Sequence, residues 1–352
     1  MAFSSLLTQQ QPHHNWRWLI LIFAVLFSGC ERPDPIIEID GPTMGTYYSV
    51  KVARPPQGMT AASLKQGVEK ILAQVIAEIS TYDKTSELSR LNQNASTDWI
   101  PVSANVYQLI AEGQRLAALT NGTYDITIGP LVNLWGFGPE ARRDTPPSQD
   151  DIQAAQARVG WKKLELQAQP PAVRKAQADL YLDLSSLGEG YGGDQIAAWL
   201  KTQGVTDYLV AIAGAIRTAG VNAKRQPWAI AIEEPLIEHR TMHRVIPISN
   251  RAVATSGDYR NFFERDGKRY SHEIDPRTGT PVTRNLGSVT VVGEVGITVD
   301  GLATALMVLG DERGLELAKA QNVAAYFIIR DGEELRGIAT PAFQQLFDHA
   351  ED

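Results

Sequence analysis

The chain has 352 residues, 43% of them hydrophobic, enough to bury the core of one large domain or two ordinary ones. Its 33 basic and 40 acidic residues give a formal net charge of −7. That balance argues against a nucleic-acid partner, because phosphate backbones are bound through clustered lysine and arginine.

The first thirty residues read as a targeting segment. The apolar run 18–27 follows Arg17; it is too short to span a bilayer as a stable helix but has the length of a signal-peptide core. It ends in LFSGC at 26–30, where small residues precede the only cysteine as in a bacterial lipobox, with Phe27 where leucine is usual. This pattern predicts a signal peptide over 1–29 and acylation of Cys30, followed by a tether over 30–38 whose prolines exclude a helix. A cysteine used as an anchor leaves none for disulfides, zinc ligation or thiolate catalysis. The expected location is the bacterial inner membrane, lipid-anchored and facing the periplasm. A buried thiol, or cleavage without lipidation, is the alternative.

The folded body is expected over 39–348. β-Branched and aromatic residues predict a strand at 46–52, and Leu64, Val68, Ile71, Leu72, Val75 and Ile79 form the apolar stripe of a helix over 61–79. A second helix is predicted over 102–119, opened by Ser103 and closed at Asn121 and Gly122. The segment LWGFGP at 134–139 reads as a packed loop with Trp135 in a core. A helix over 149–159 precedes a short strand at 178–184, a glycine-containing turn at 185–190 and a helix over 194–203. Strand, turn and helix in that order would build a nest of N–H groups suited to an anionic phosphate. Further strands are expected at 208–212, 228–232, 245–248, 250–256, 269–273, 288–292 and 323–329, and helices at 298–309 and 341–347. His239 and His243, beside Glu238, read as solvated surface rather than a metal site. Helices and strands interspersed without strict alternation predict an α+β fold with mixed sheets and packed helices, not a doubly wound parallel sheet.

Two segments carry the chemistry. SHEIDPRTG at 271–279 places an imidazole ahead of an Asp-Pro turn, and DGLAT at 300–304 places a carboxylate and a hydroxyl four residues apart. On a helix Asp300 and Thr304 share a face and present two hard oxygens to one point, which suits Mg²⁺; a carboxylate favoured by the helix dipole is the alternative. His272 is the candidate general base, since imidazole titrates near neutral pH, or else it only hydrogen-bonds the Asp275 turn. Arg277 either stabilises charge developing on a phosphate or pairs with Asp275. Asp258 and Arg260 read as structural or substrate-positioning residues. The combination points to an enzyme acting on a phosphate ester.

These two segments, together with GPTMGT at 41–46, STYD at 80–83, GTYDITIGPL at 122–131, DLSSLGEGY at 183–191 and SGDYR at 256–260, resemble the ApbE family of FAD:protein FMN transferases. The resemblance implies a single α+β unit of two intimately packed subdomains. It also implies Mg²⁺-dependent transfer of FMN from FAD to a Thr or Ser hydroxyl of a target flavoprotein, with release of AMP. Met44, Tyr82, Thr123, Tyr124, Asp125, Asp183 and Ile274 match positions where the family touches FAD. Asp300 and Thr304 match its Mg²⁺ ligands, with a backbone carbonyl near Ser186 completing the protein's share. Glu189 stands where lysine is common in the family; a carboxylate there could accept from ribityl or ribose hydroxyls or hold the metal's water. In this frame the 134–139 segment has an alternative role as a wall against a flavin or adenine ring. The implied acceptors are subunits of the Na⁺-translocating NADH:quinone reductase or of Rnf-type complexes. Two other readings stay open: an FAD pyrophosphatase with water as acceptor, and a non-catalytic periplasmic flavin-binding lipoprotein.

Overall fold

Eight stretches rich in β-branched and small apolar residues build the centre of the molecule. In the computed structural model, which describes residues 34–140, 143, 145–236, 241–332 and 334–347, these are β1 (Ile36–Thr43), β2 (Thr46–Ala53), β3 (Tyr208–Ile212), β4 (Ala215–Ala219), β5 (Ala252–Gly257), β6 (Leu286–Gly293), β7 (Ala324–Asp331) and β8 (Glu334–Ala339). Among the described residues they form one sheet in chain order, each strand antiparallel to the next. β1 starts within the stretch expected as a tether: Ile36 pairs with Ala53, and Ile39 is buried. Cys30, the rest of the N-terminal segment and His239 lie outside the described residues.

The meander is interrupted by insertions that make the functional parts. Between β2 and β3 come α1 (Ala61–Ile79), α2 (Glu87–Gln93), α3 (Ala104–Leu119), α4 (Gly129–Leu134), α5 (Gln149–Gln156) and α6 (Ser185–Thr202). A ribbon of Trp228–Glu233 with Met242–Ile248 separates β4 from β5, and two hairpins, Phe262–Arg265 with Lys268–Ser271 and Ile274–Asp275 with Thr280–Pro281, separate β5 from β6. α7 (Gly296–Leu309) and α8 (Asp311–Ala320) link β6 to β7, and α9 (Pro341–Phe347) follows β8.

Local sequence explains the clearest helices. α1 opens with a capping box of Thr60 and Ser63, and its expected stripe of Leu64, Val68, Leu72, Val75 and Ile79 is buried. α3 is capped by Ser103 and followed by Asn121 and Gly122, both at positive φ. Val289, Val291, Ala254 and Phe327 pack with the helices in the main core, while Val292, Val253 and Ile328 pack with the ribbon and α9 on the opposite face of the sheet. Each of the valine, isoleucine and phenylalanine side chains among them contributes about 1.5–3 kcal/mol by leaving water. The described residues from Pro35 onward form one compact unit.

Two expectations around residue 185 are corrected. Residues 180–184 join no sheet; Asn92 clamps Leu182, donating to its carbonyl and accepting from its N–H at 2.8 Å each, and Asp183 N donates to the Ile126 carbonyl. The 185–190 segment is not a turn but the first turns of α6. Its glycines serve packing. A Cβ on Gly190 would lie 2.2 Å from the Gly296 carbonyl oxygen and 2.8 Å from Asp300 Cβ, so only glycine lets α6 and α7 approach this closely. The contact outweighs glycine's weak helix propensity. Smaller differences are that α5 ends at Gln156 and that residues 129–134 form the helical turn α4. His243 is not solvated: its Nε2 lies 3.1 Å from the Tyr326 hydroxyl, and its side chain is 17% exposed.

Candidate active site

A cleft of about 780 Å³ opens where the N-terminal end of α6, the β1–β2 turn, the 123–137 segment, the ribbon and the 256–276 region meet. Met44, Tyr82, Thr123, Tyr124, Asp125 and Asp183 all line it. So do Ser186, Glu189, His272, Ile274, Asp300 and Thr304. The fold therefore brings the expected FAD, metal and general-base residues of the described part of the chain to one place, while Arg277 and Asp258 do not line it. Cys30 lies outside the described residues.

The walls are held by specific local geometry. The β1–β2 hairpin turns through Met44 (φ 49) and Gly45 (φ 75), two left-handed residues as a two-residue turn requires. Glycine adopts this freely, whereas Met44 does so at a cost of about 1–2 kcal/mol. Ala213, at the β3–β4 turn, also has positive φ (44), so two strained residues border the same cleft. Tyr82 is largely exposed and its hydroxyl donates to the Phe137 carbonyl at 3.1 Å. Trp135 is buried as expected, with Nε1 donating to the Gly279 carbonyl at 2.8 Å, while Phe137 borders the cleft. The packed-loop reading of Trp135 therefore holds, and Phe137 presents a ring to the cleft.

Asp125 lines the cleft and also braces it. Its Oδ1 accepts from Thr127 N and Oγ1 at 2.8 and 2.7 Å, and its Oδ2 accepts from Trp161 N at 2.8 Å. Oδ2 keeps a free lone pair for a ligand. Asp183 uses Oδ1 to accept from Ser185 N at 2.9 Å at the start of α6. Tyr124 is buried, with its hydroxyl 2.8 Å from Ser186 Oγ, and burial holds its pKa far above the usual phenol range. Arg277 pairs with Asp275 through two contacts of 2.9 and 2.6 Å, and Asp258 accepts from Arg330 at 2.6 and 2.9 Å, so these residues are structural. Arg260 pairs with Glu233.

The oxygen cluster has the character of a hard-cation site. Asp300 and Thr304 share one face of α7, and Thr304 Oγ1 lies 3.2 Å from Ser256 Oγ. Gly190 N, the helical partner of the Ser186 carbonyl by register, donates to Asp300 Oδ2 at 2.8 Å. The Ser186 carbonyl therefore shares its donor and keeps acceptor capacity. Burial raises the Asp300 carboxyl well above the usual range, and neighbouring Glu189 raises it further; burial also raises Glu189, whose Oε2 accepts from Gly214 N at 3.0 Å. Two buried carboxyls side by side are relieved by a cation. Among the described residues no group of three His, Cys, Asp or Glu could hold a metal by itself, which fits an ion that takes water and phosphate oxygens for its remaining positions. Thr123 adds a buried hydroxyl with no partner among the described residues, at the cleft's edge.

Sequence reasoning missed the hydroxyls lining β5 and β6, where Thr255 and Thr290 lie 2.8 Å apart, and it missed Glu273, which also borders the cleft. The readable signal for the first was hydroxyl residues inside otherwise apolar strands.

A cleft with one imidazole, a cluster of oxygens suited to a hard cation and an unpartnered buried hydroxyl fits an enzyme of the group-transfer kind acting on phosphate. Residues 44–327 match the ApbE family model. The chain is 42% identical to the FAD:protein FMN transferase of Vibrio cholerae over 328 residues, covering 93% of this chain and 98% of that one. It is 41% identical to the Haemophilus influenzae FAD:protein FMN transferase, over 95% and 98%. Among solved structures, the flavin transferase ApbE from Vibrio cholerae superimposes with a TM-score of 0.83 at 40% identity, covering 90% of this chain and all of that one. The Pseudomonas stutzeri flavinyl transferase ApbE gives 0.81 at 40% identity, over 90% and 98%. The chain belongs to the ApbE family.

Proposed function

We propose that this enzyme transfers the FMN half of FAD to a Thr or Ser hydroxyl of a target flavoprotein and releases AMP, with Mg²⁺ as cofactor. The observation that carries this is the meeting, in one cleft, of His272 with the oxygen cluster of Asp300, Thr304 and the Ser186 carbonyl. Those three residues would hold the cation, which when bound supplies positive charge to the pyrophosphate.

The chain's own residues do the rest. His272 Nδ1 donates to the Asn261 carbonyl at 3.1 Å, which leaves Nε2 as the basic nitrogen. Nε2 takes the proton of the acceptor hydroxyl as its oxygen bonds to the FMN-side phosphorus. The bond to the bridging oxygen breaks, and AMP leaves with the electron pair. Thr123, Tyr82 and Phe137 offer a hydroxyl and aromatic surfaces to the two ring systems of FAD.

Subunits of the Na⁺-translocating NADH:quinone reductase or of Rnf-type complexes are the proposed acceptors, and acylation of Cys30 at the inner membrane would place the enzyme beside them on the periplasmic side. Incubation with FAD, Mg²⁺ and such a subunit should add the mass of FMN to one Thr or Ser, and Asp300→Ala should abolish the adduct. AMP release without an adduct would instead make the protein an FAD pyrophosphatase, and neither product a flavin-binding protein.

A further inference from the structure

Neighbouring side chains on an extended strand point to opposite faces, yet His272 and Glu273 border the same cleft. They do so because the chain bends at His272, between the strands Lys268–Ser271 and Ile274–Asp275. The bend is pinned by the Asn261 carbonyl, which accepts both His272 N at 3.0 Å and Nδ1 at 3.1 Å. A carbonyl cannot donate, so Nδ1 carries the hydrogen and the lone pair is on Nε2. Glu273 Oε1 lies 3.8 Å from that Nε2, on a side chain only 5% exposed.

The surrounding charges are otherwise matched. Asp258 is paired with Arg330, Arg260 with Glu233, and Glu189 accepts from Gly214 N. Among the described residues the ion-pair contact of Glu273 is with His272.

We propose that Glu273 is a positioning residue of the transfer reaction: its carboxylate stabilises the imidazolium formed when His272 Nε2 accepts the proton of the acceptor hydroxyl. The step rests on the transferase reading above and moves one proton, from the acceptor oxygen to Nε2, with no other co-reactant. Burial holds the Glu273 carboxyl above its ordinary range, while the His272 charge pulls it down and Asp258 pushes it up. Glu189 and Arg260 also face this region and are unchanged by the test.

The test is the titration of the His272 ring followed by NMR in the histidine-labelled protein, assigned with His272→Asn, alongside the pH profile of FMN transfer. Replacing Glu273 by Gln should lower the His272 midpoint by about one pH unit, since a nearby carboxylate favours the charged ring. The acid limb of the rate profile should move down with it, and Glu273→Asp should give a smaller shift. A His272 midpoint unchanged in both variants overturns the proposal. Should the Gln variant not fold, the Asp variant alone decides by the same criterion. If the parent enzyme makes no FMN adduct, the transferase reading falls, and the titration still reports whether the pair exists.

Discussion

At the residue scale, the cleft is lined by groups whose folded environment suits a ligand better than the empty protein. Thr123 is fully buried, and its hydroxyl has no partner among the described residues. Thr123→Val keeps the shape and removes the hydroxyl, so the unliganded protein should be no less stable. FAD affinity measured by fluorescence titration should fall roughly tenfold, the worth of one buried hydrogen bond of about 1.4 kcal/mol. Asp300 follows the same logic in electrostatic form. Its carboxyl sits above its unfolded value because of burial and then Glu189, so the unfolded chain holds fewer protons than the folded one as pH rises past the unfolded pKa of about 4. Stability is therefore lost as pH rises through that interval. Asp300→Asn, which can still accept from Gly190 N, should melt at a higher temperature than the parent at neutral pH. The gap should close below about pH 4, where the parent carboxyl is protonated in both states. The same variant should lose any Mg²⁺-dependent rise in melting temperature.

At the element scale, the decisive contact is between α6 and α7. α7 lacks a side-chain cap of its own, and Asp194 on α6 supplies it, with Oδ2 accepting from Ile297 N at 3.1 Å. The start of α7 is thereby fixed to α6, and Asp300 follows about one turn later and Thr304 about two. Glycines set how close the pair can come, and they are not equivalent. Gly190→Ala drives a methyl into the Gly296 carbonyl and should cost about 1–3 kcal/mol and weaken FAD binding. Gly193→Ala, whose Cβ would meet only Arg217 Cβ at 3.7 Å, should stabilise the protein by about 0.5–1 kcal/mol, because alanine is the better helix former. Urea denaturation of the two variants checks both signs; equal effects would sink this account of the helix pair.

At the scale of the whole molecule, what was legible in the sequence followed the range of the interaction involved. α1 could be read because five core residues recur on one face, and α9 because a proline opens an apolar run. Pairing order could not be read: β2 finds β3 across the whole helical insertion, and strand composition says nothing about such a partner. The glycines of 185–190 look like a turn to any local rule, and only their contact with Gly296 and Asp300 explains a helix there. The same division holds in the site. Asp300 with Thr304, and His272, were readable from spacing and chemistry. The engagement of Asp125 and the burial of Glu273 depend on residues distant in the chain, Trp161 and Asn261 among them.

Among the described residues β1 lies at one border of the sheet and pairs with no strand but β2, through pairs running from Ile36↔Ala53 to Thr43↔Thr46. Tension applied ahead of Ile36 loads those pairs one at a time, as in opening a zip, and not all together as in shear. The tearing front runs straight to the Met44 turn, which is cleft wall. An optical trap with handles at residues 35 and 347 should record a small, low-force rip that precedes global unfolding, and bound FAD should raise the force of its last step. Detaching β1 by force would thus unmake one wall of the cleft, coupling nucleotide retention to the integrity of the sheet border.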